Sequence, residues 1–191
     1  MNLILASASP RRCELLRNAG FDFEVRPASI EEVPGSGETA EDFARRVARD
    51  KALKVGQSAA DSSIIIGADT VVVIGNTILG KPAGPEDAAR MLRLLSGLTH
   101  PVITAISIIR APDHLEALEH ETTLVTFRKL EEKEIQEYIS SGEPFDKAGA
   151  YGIQGLASKF VERIEGDYSN VVGLPVLLVR QLLNRVLART K

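Results

Sequence analysis

A mixed α/β fold is predicted by three features of the sequence. Apolar runs of strand length recur at residues 3–6, 63–68 and 102–109. Between them, segments such as 85–97 carry apolar residues at helical spacing, with Ala88, Met91, Leu92 and Leu95 on one face. Extended runs on either side of Gly75-Asn76 mark a hairpin. Strands alternating with helices, with hairpins added, give a mixed sheet with flanking helices.

In chain order, the strand at 3–6 feeds Ser9-Pro10, a capping serine before a proline suited to the first helical position. That helix stops at Gly20, a good left-handed cap. Phe21, Phe23 and Val25 alternate and predict a second strand, followed by a polar loop over 27–38. Thr39 with Asp42 resembles a capping box for a long helix ending near Gly56, with Phe43, Val47 and Leu53 on one face. A strand at 63–68 and an extended stretch at 71–74 lead through the hairpin to 77–79. Pro85 starts a helix that Gly97 stops. Strands at 102–109 and 122–127 are expected to join around Pro112-Asp113. A charged helix with Ile135, Tyr138 and Ile139 inward ends at Gly142. The glycine-rich stretch 146–155 follows, then a strand at 160–164 and a helix opened by Pro175.

Composition bounds the function. A hydrophobic content of 44% and a charged content of 26% are ordinary for a globular protein. The net charge of −3 argues against a general binder of nucleic acid or membrane surfaces. A lone cysteine, Cys13, excludes an internal disulfide. No segment approaches the ~20 apolar residues of a membrane span, and no leader-like pattern opens the chain, so a cytoplasmic location is expected.

Four stretches carry chemistry. Arg11 and Arg12 occupy a first helical turn, where the helix dipole disfavours cations. Solvated side chains would explain them. A strand, a serine-rich turn and a helix start also make an anion site, and phosphate is the favoured reading, with Ser7 as a further donor. Asp69 interrupts the apolar run 64–74. It either caps a turn at Gly67-Ala68-Asp69 or aims a carboxylate into a site, to hold a metal or take a proton from water. Gly75 and Gly80-Lys81 mimic a phosphate loop, but Pro82 stands where Ser or Thr is required, so that reading fails. Stretch 146–155 sets Lys147, Tyr151 and Gln154 among glycines that allow close approach of a ligand. In isolation Glu32, Lys51 and Lys81 read as surface residues, and no histidine has metal-ligand spacing with another.

Taken together, Ser7-Ala8-Ser9-Pro10-Arg11-Arg12, Glu32, Lys51, Gly67-Ala68-Asp69-Thr70, Gly80-Lys81-Pro82 and the stretch 146–155 resemble the Maf family of nucleoside triphosphate pyrophosphatases. Thr70 and Gln154 resemble the branch that acts on dTTP and UTP. The resemblance implies one Maf domain over 1–191, an elongated twisted mixed sheet in two lobes around a central cleft. It implies Asp69 as catalytic base, with Arg11, Thr70 and Gln154 selecting the base. On this reading Arg12, Lys51, Lys81 and Lys147 neutralise the triphosphate, Arg12 and Lys81 assisting catalysis. Glu32 and Asp69 hold a divalent cation, Mg²⁺, Mn²⁺ or Co²⁺. A homodimer is expected, with no nucleic-acid or membrane partner. A nucleotidyltransferase and a non-enzymatic nucleotide-binding regulator of cell division are the alternatives.

Overall fold

The computed structural model describes residues 2–60, 63–111 and 115–188. The chain runs β1 (Asn2–Leu5), α1 (Pro10–Asn18), β2 (Glu24–Val25), α2 (Ala40–Gly56), β3 (Ser63–Ile74), β4 (Thr77–Leu79), α3 (Pro85–Leu95), β5 (Thr99–Arg110), β6 (Leu115–Phe127), α4 (Glu132–Ser140), β7 (Val161–Glu165), α5 (Tyr168–Val172) and α6 (Val176–Ala188). Short 3₁₀ turns fill the stretch between α4 and β7. The strands form one sheet in the order β2-β1-β3-β5-β6-β7, with β4 added to β3. β1 is parallel to β2 and β3, whereas β4 and β7 are antiparallel to their partners, so the expected mixed α/β class holds.

Contacts divide the chain into two compact units. The first comprises Met1–Asp69, Thr104–Glu121 and Gly173–Lys191, the second Thr70–Ile103 and Thr122–Val172.

The first unit is built by alternation along β3. Ile64, Ile66 and Ala68 face one core with Leu5, Leu16 of α1, and Leu178, Val179 and Leu182 of α6. Ile65 faces the opposite core with Ile4, Ala6, and Ala52 and Val55 of α2. Period-two geometry puts Gly67 and Asp69 on that same α2 face. There the helix backbone lies directly on the strand. A Cβ on Gly67 would overlap the Ala48 carbonyl oxygen and sit 2.9 Å from the Ala52 nitrogen. Thr39 opens α2 by accepting from the Asp42 N–H at 3.1 Å, as its sequence position predicts.

The second unit has its own core. Ala88, Leu92 and Leu95 of α3 and Ile135, Tyr138 and Ile139 of α4 meet Val72, Val102, Val125 and Phe127 from the strands. Tyr151 and Phe160 complete it, with Phe127 edge-on to Tyr151 at 4.8 Å.

Three expectations are corrected. β3 runs unbroken through 67–69, because a glycine there serves helix packing and not a turn. β6 begins at Leu115, seven residues earlier than the apolar pattern indicates. Its glutamates obscure the pattern: Glu116 pairs with Arg49 at 3.0 Å, and Glu119 with Arg185 at 3.1 Å. β2 keeps only two residues, while Phe21 and Phe23 pack on the first core without pairing. The expected Pro112-Asp113 connection lies outside the described residues.

Gly67→Ala is expected to cost about 2–3 kcal/mol, since the clash is with backbone that cannot rotate away. Urea unfolding measures this, and a variant as stable as the parent contradicts the close helix–strand approach.

Candidate active site

The end of β1 passes into Ser7 and the start of α1. Ser9 caps the helix, its hydroxyl accepting from the Arg12 N–H at 3.5 Å, with Pro10 in the first turn. Ser7 is buried, and its hydroxyl accepts from the Ser9 N–H at 3.2 Å and from Arg12 Nη1 at 3.3 Å. Arg12 turns inward from the helix. Its Nη1 donates to the Ala68 carbonyl at 2.9 Å, and its Nε donates to the Gly173 carbonyl at 2.8 Å. One guanidinium thus ties together the first helical turn, β3 and the segment before α6. Burial lowers its pKa, opposed by the nearby carboxylates of Asp69 and Glu32.

Asp69 follows one residue after that carbonyl, on the α2 face of β3. Lys51 is buried on α2, three residues beyond Ala48 and one before Ala52, so the glycine that admits the helix also delivers its ammonium. Lys51 Nζ donates to Asp69 Oδ1 at 2.8 Å and pairs with Glu32 Oε1 at 2.8 Å. The Lys51 and Asp69 side chains are 9% and 8% exposed, against 40% for Glu32. The pair is therefore shielded from water, and Glu32 is the member of the cluster that water reaches. Burial pushes the Asp69 carboxyl above the usual aspartate range, and Lys51 and then Arg12 pull against that rise. A buried carboxylate with a raised pKa has the chemistry of a proton acceptor, while its ionised form is held by Lys51.

These contacts bring Ser7, Arg12, Glu32, Lys51 and Asp69 into one cluster of the first unit. Arg11 is half-buried beside Arg12 in the same first turn. The other sequence-predicted residues belong to the second unit. Thr70 continues β3 directly from Asp69. Lys81 and Gln154 are exposed. Lys147 is half-buried and donates to the Glu143 carbonyl and to Asp146 Oδ1, each at 2.6 Å. Sequence reasoning passed over Glu143 and the helical Tyr138, which hold the glycine-rich stretch in place. The visible signal was Glu143 beside Pro144, four residues before Lys147.

Among the described residues, no three His, Cys, Asp or Glu side chains gather as a metal cage. Glu32 and Asp69 nonetheless present two carboxylates to a single cationic centre. That set suits a hard cation of the Mg²⁺ type, which takes one or two carboxylates and completes its shell with water and substrate phosphate.

Residues 2–186 match the family described as Maf-like protein. The chain is 51% identical to a dTTP/UTP pyrophosphatase of Koribacter versatilis, over 97% of this chain and 94% of that protein. It is 50% identical to one of Methylococcus capsulatus, covering 97% of this chain and 91% of that protein. It is 47% identical to one of Bdellovibrio bacteriovorus, covering 96% and 97% respectively. Among solved structures, a nucleoside-triphosphatase / dITP/XTP pyrophosphatase of Mycobacterium abscessus aligns over 100% of this chain and 98% of that one. Its TM-score is 0.43 at 15% identity.

Replacing Lys51 with Met leaves Asp69 buried beside Arg12 without its ammonium, at an expected cost of about 3–5 kcal/mol at pH 7. The native Asp69 pKa lies above its unfolded value, so the folded state holds the extra proton and this group's contribution falls as pH rises through that window. Loss of Lys51 raises the native value further. The stability gap between Lys51→Met and the parent therefore narrows as pH falls toward the ordinary aspartate range. Urea unfolding across pH checks this, and a gap independent of pH contradicts it.

Proposed function

Because the chain belongs to the Maf family, we propose that it is a nucleoside triphosphate pyrophosphatase that converts dTTP and UTP to the monophosphate and pyrophosphate. The carrying observation is the buried Asp69–Lys51 pair beside Arg12 and Glu32, within β3 and next to the start of α1. The substrate class is supported by relatives 47–51% identical to the chain that carry the name dTTP/UTP pyrophosphatase.

The opening turn of α1 supplies the phosphate-facing charge. A triphosphate carrying about three to four negative charges outweighs the ~0.3–1 kcal/mol dipole penalty of a cation there. Arg11 reaches toward it, while Arg12 fixes the turn and contributes positive potential. Lys51 exchanges part of its carboxylate contact for phosphate oxygen. Lys81 and Lys147 add charge along the leaving pyrophosphate.

Asp69 accepts a proton from water as the water oxygen bonds to the α-phosphorus. The bond from that phosphorus to the α–β bridging oxygen breaks, and pyrophosphate departs with the bond's electron pair. Glu32 and Asp69 would hold a divalent cation, Mg²⁺, Mn²⁺ or Co²⁺, which when bound neutralises phosphate charge. Positioning and charge neutralisation supply most of the acceleration. The Gln154 amide has one donor and one acceptor side, matching the N–H and carbonyl edge of uracil or thymine, with Thr70 and Arg11 assisting. The family resemblance also supports a homodimer working in the cytoplasm, and no helix among the described residues is long and apolar enough to cross a membrane.

Incubation with dTTP and Mg²⁺, with no acceptor present, is expected to yield dTMP and pyrophosphate, as a nucleotidyltransferase or a purely binding regulator would not. Asp69→Asn is expected to lower kcat by at least ~100-fold while nucleotide still binds, measured by turnover and calorimetry. Retained turnover removes Asp69 from the chemistry. Gln154→Glu is expected to lower kcat/KM for dTTP and UTP relative to a guanine nucleotide, and an unchanged ranking contradicts the base contact.

A further inference from the structure

The glycine-rich stretch is fastened on both sides of Gln154. Tyr151 is buried, with its hydroxyl 2.9 Å from His100 Nε2. Gly152 donates its N–H to the Tyr138 hydroxyl at 3.3 Å, and Ile153 is buried. The Gly155 N–H returns to the Gly152 carbonyl at 3.1 Å, closing a four-residue turn. The Leu156 N–H donates to Glu143 Oε2 at 3.0 Å. Gln154 is the exposed third residue of that turn.

Both ends of the turn meet one bridge. The Tyr138 hydroxyl donates to Glu143 Oε1 at 3.0 Å, while Glu143 Oε2 takes the Leu156 N–H and Tyr138 takes the Gly152 N–H. The glycines let this bridge lie against the backbone, since a Cβ on Gly155 would overlap the Glu143 carboxylate. A solvent-facing loop needs no such anchoring. An amide that must offer its donor and acceptor in fixed order does, because small misplacements forfeit both hydrogen bonds.

We propose that Glu143 and Tyr138 are positioning residues that hold the Gln154 amide in register for the nucleobase, so that pyrimidine selectivity is set jointly by Gln154 and this bridge. The inference rests on, and deepens, the reading of the chain as a pyrimidine triphosphate pyrophosphatase. His100 supports the same segment from its other side. Burial lowers its pKa to about 4, so it stays neutral at physiological pH and its contact with Tyr151 does not vary there.

The test compares kcat/KM for dTTP, UTP and GTP. Tyr138→Phe keeps the ring that packs 5.3 Å from Phe160 and deletes only the hydroxyl. The dTTP-to-GTP ratio is expected to fall about tenfold, carried by KM rather than kcat. In a Gln154→Ala background the same change is expected to leave the ratio unmoved. Glu143→Ala should match Tyr138→Phe, and Glu143→Gln, which can still accept from Leu156 and donate to Tyr138, should recover most of the selectivity. A uniform loss on all three nucleotides, or an equal further fall in the Gln154→Ala background, overturns the positioning role. If the parent hydrolyses dTTP and UTP but the ratio never moves, this inference alone fails. If the parent does not hydrolyse them, both readings fail.

Discussion

The first unit is organised around one buried ion pair. A carboxylate and an ammonium shielded from water lose several kcal/mol each in hydration, and their attraction restores that only with good geometry. The geometry here comes from the backbone. Gly67 removes the side chain that would keep α2 off β3, and the turn spacing of α2 then places Lys51 beside Asp69. Arg12 ties the middle of β3 to the segment before α6 through the Ala68 and Gly173 carbonyls. Glu32 closes the cluster from the polar loop and remains the solvent-facing member. A pair of well-packed apolar residues would serve the fold at least as well, so the charges point to chemistry.

The second unit solves a different problem with the same device. At Gly152 the Lys147 stem and at Gly155 the Glu143 carboxylate come close to backbone. At Gly149, where φ is +66°, the obstacle is Val72 instead, and an added Cβ would sit 2.9 Å from its methyl. Ala150 follows with φ of +60°, an uncommon conformation for a residue with a side chain, and it is fully buried. The stretch from Lys147 to Leu156 is thus a built surface held by the core of its own unit.

Much of this was legible in the sequence, and for identifiable reasons. Helix starts at Pro10, Thr39 and Pro85 carry local capping or proline chemistry and emerged within a residue or so of their observed places. Asp69 announced itself as a charge in an apolar run. Lys51, by contrast, looked like a solvated helix residue, because its burial depends on Gly67, which lies 16 positions away and reads locally as a turn. The start of β6 was hidden because its glutamates are neutralised by arginines of α2 and α6, contacts that no window of sequence contains. Glu143 was missed for a different reason: its partners, a helical tyrosine and a backbone N–H thirteen residues on, lie close in sequence but follow no periodic pattern.

The most direct test replaces both members of the pair, Lys51→Met with Asp69→Asn, and reads stability and turnover in one preparation. If the charges exist for catalysis, the neutral pair unfolds within about 1 kcal/mol of the parent or later, while dTTP hydrolysis falls to background. A double variant that loses several kcal/mol yet still turns over dTTP would make the pair a structural element and contradict the account.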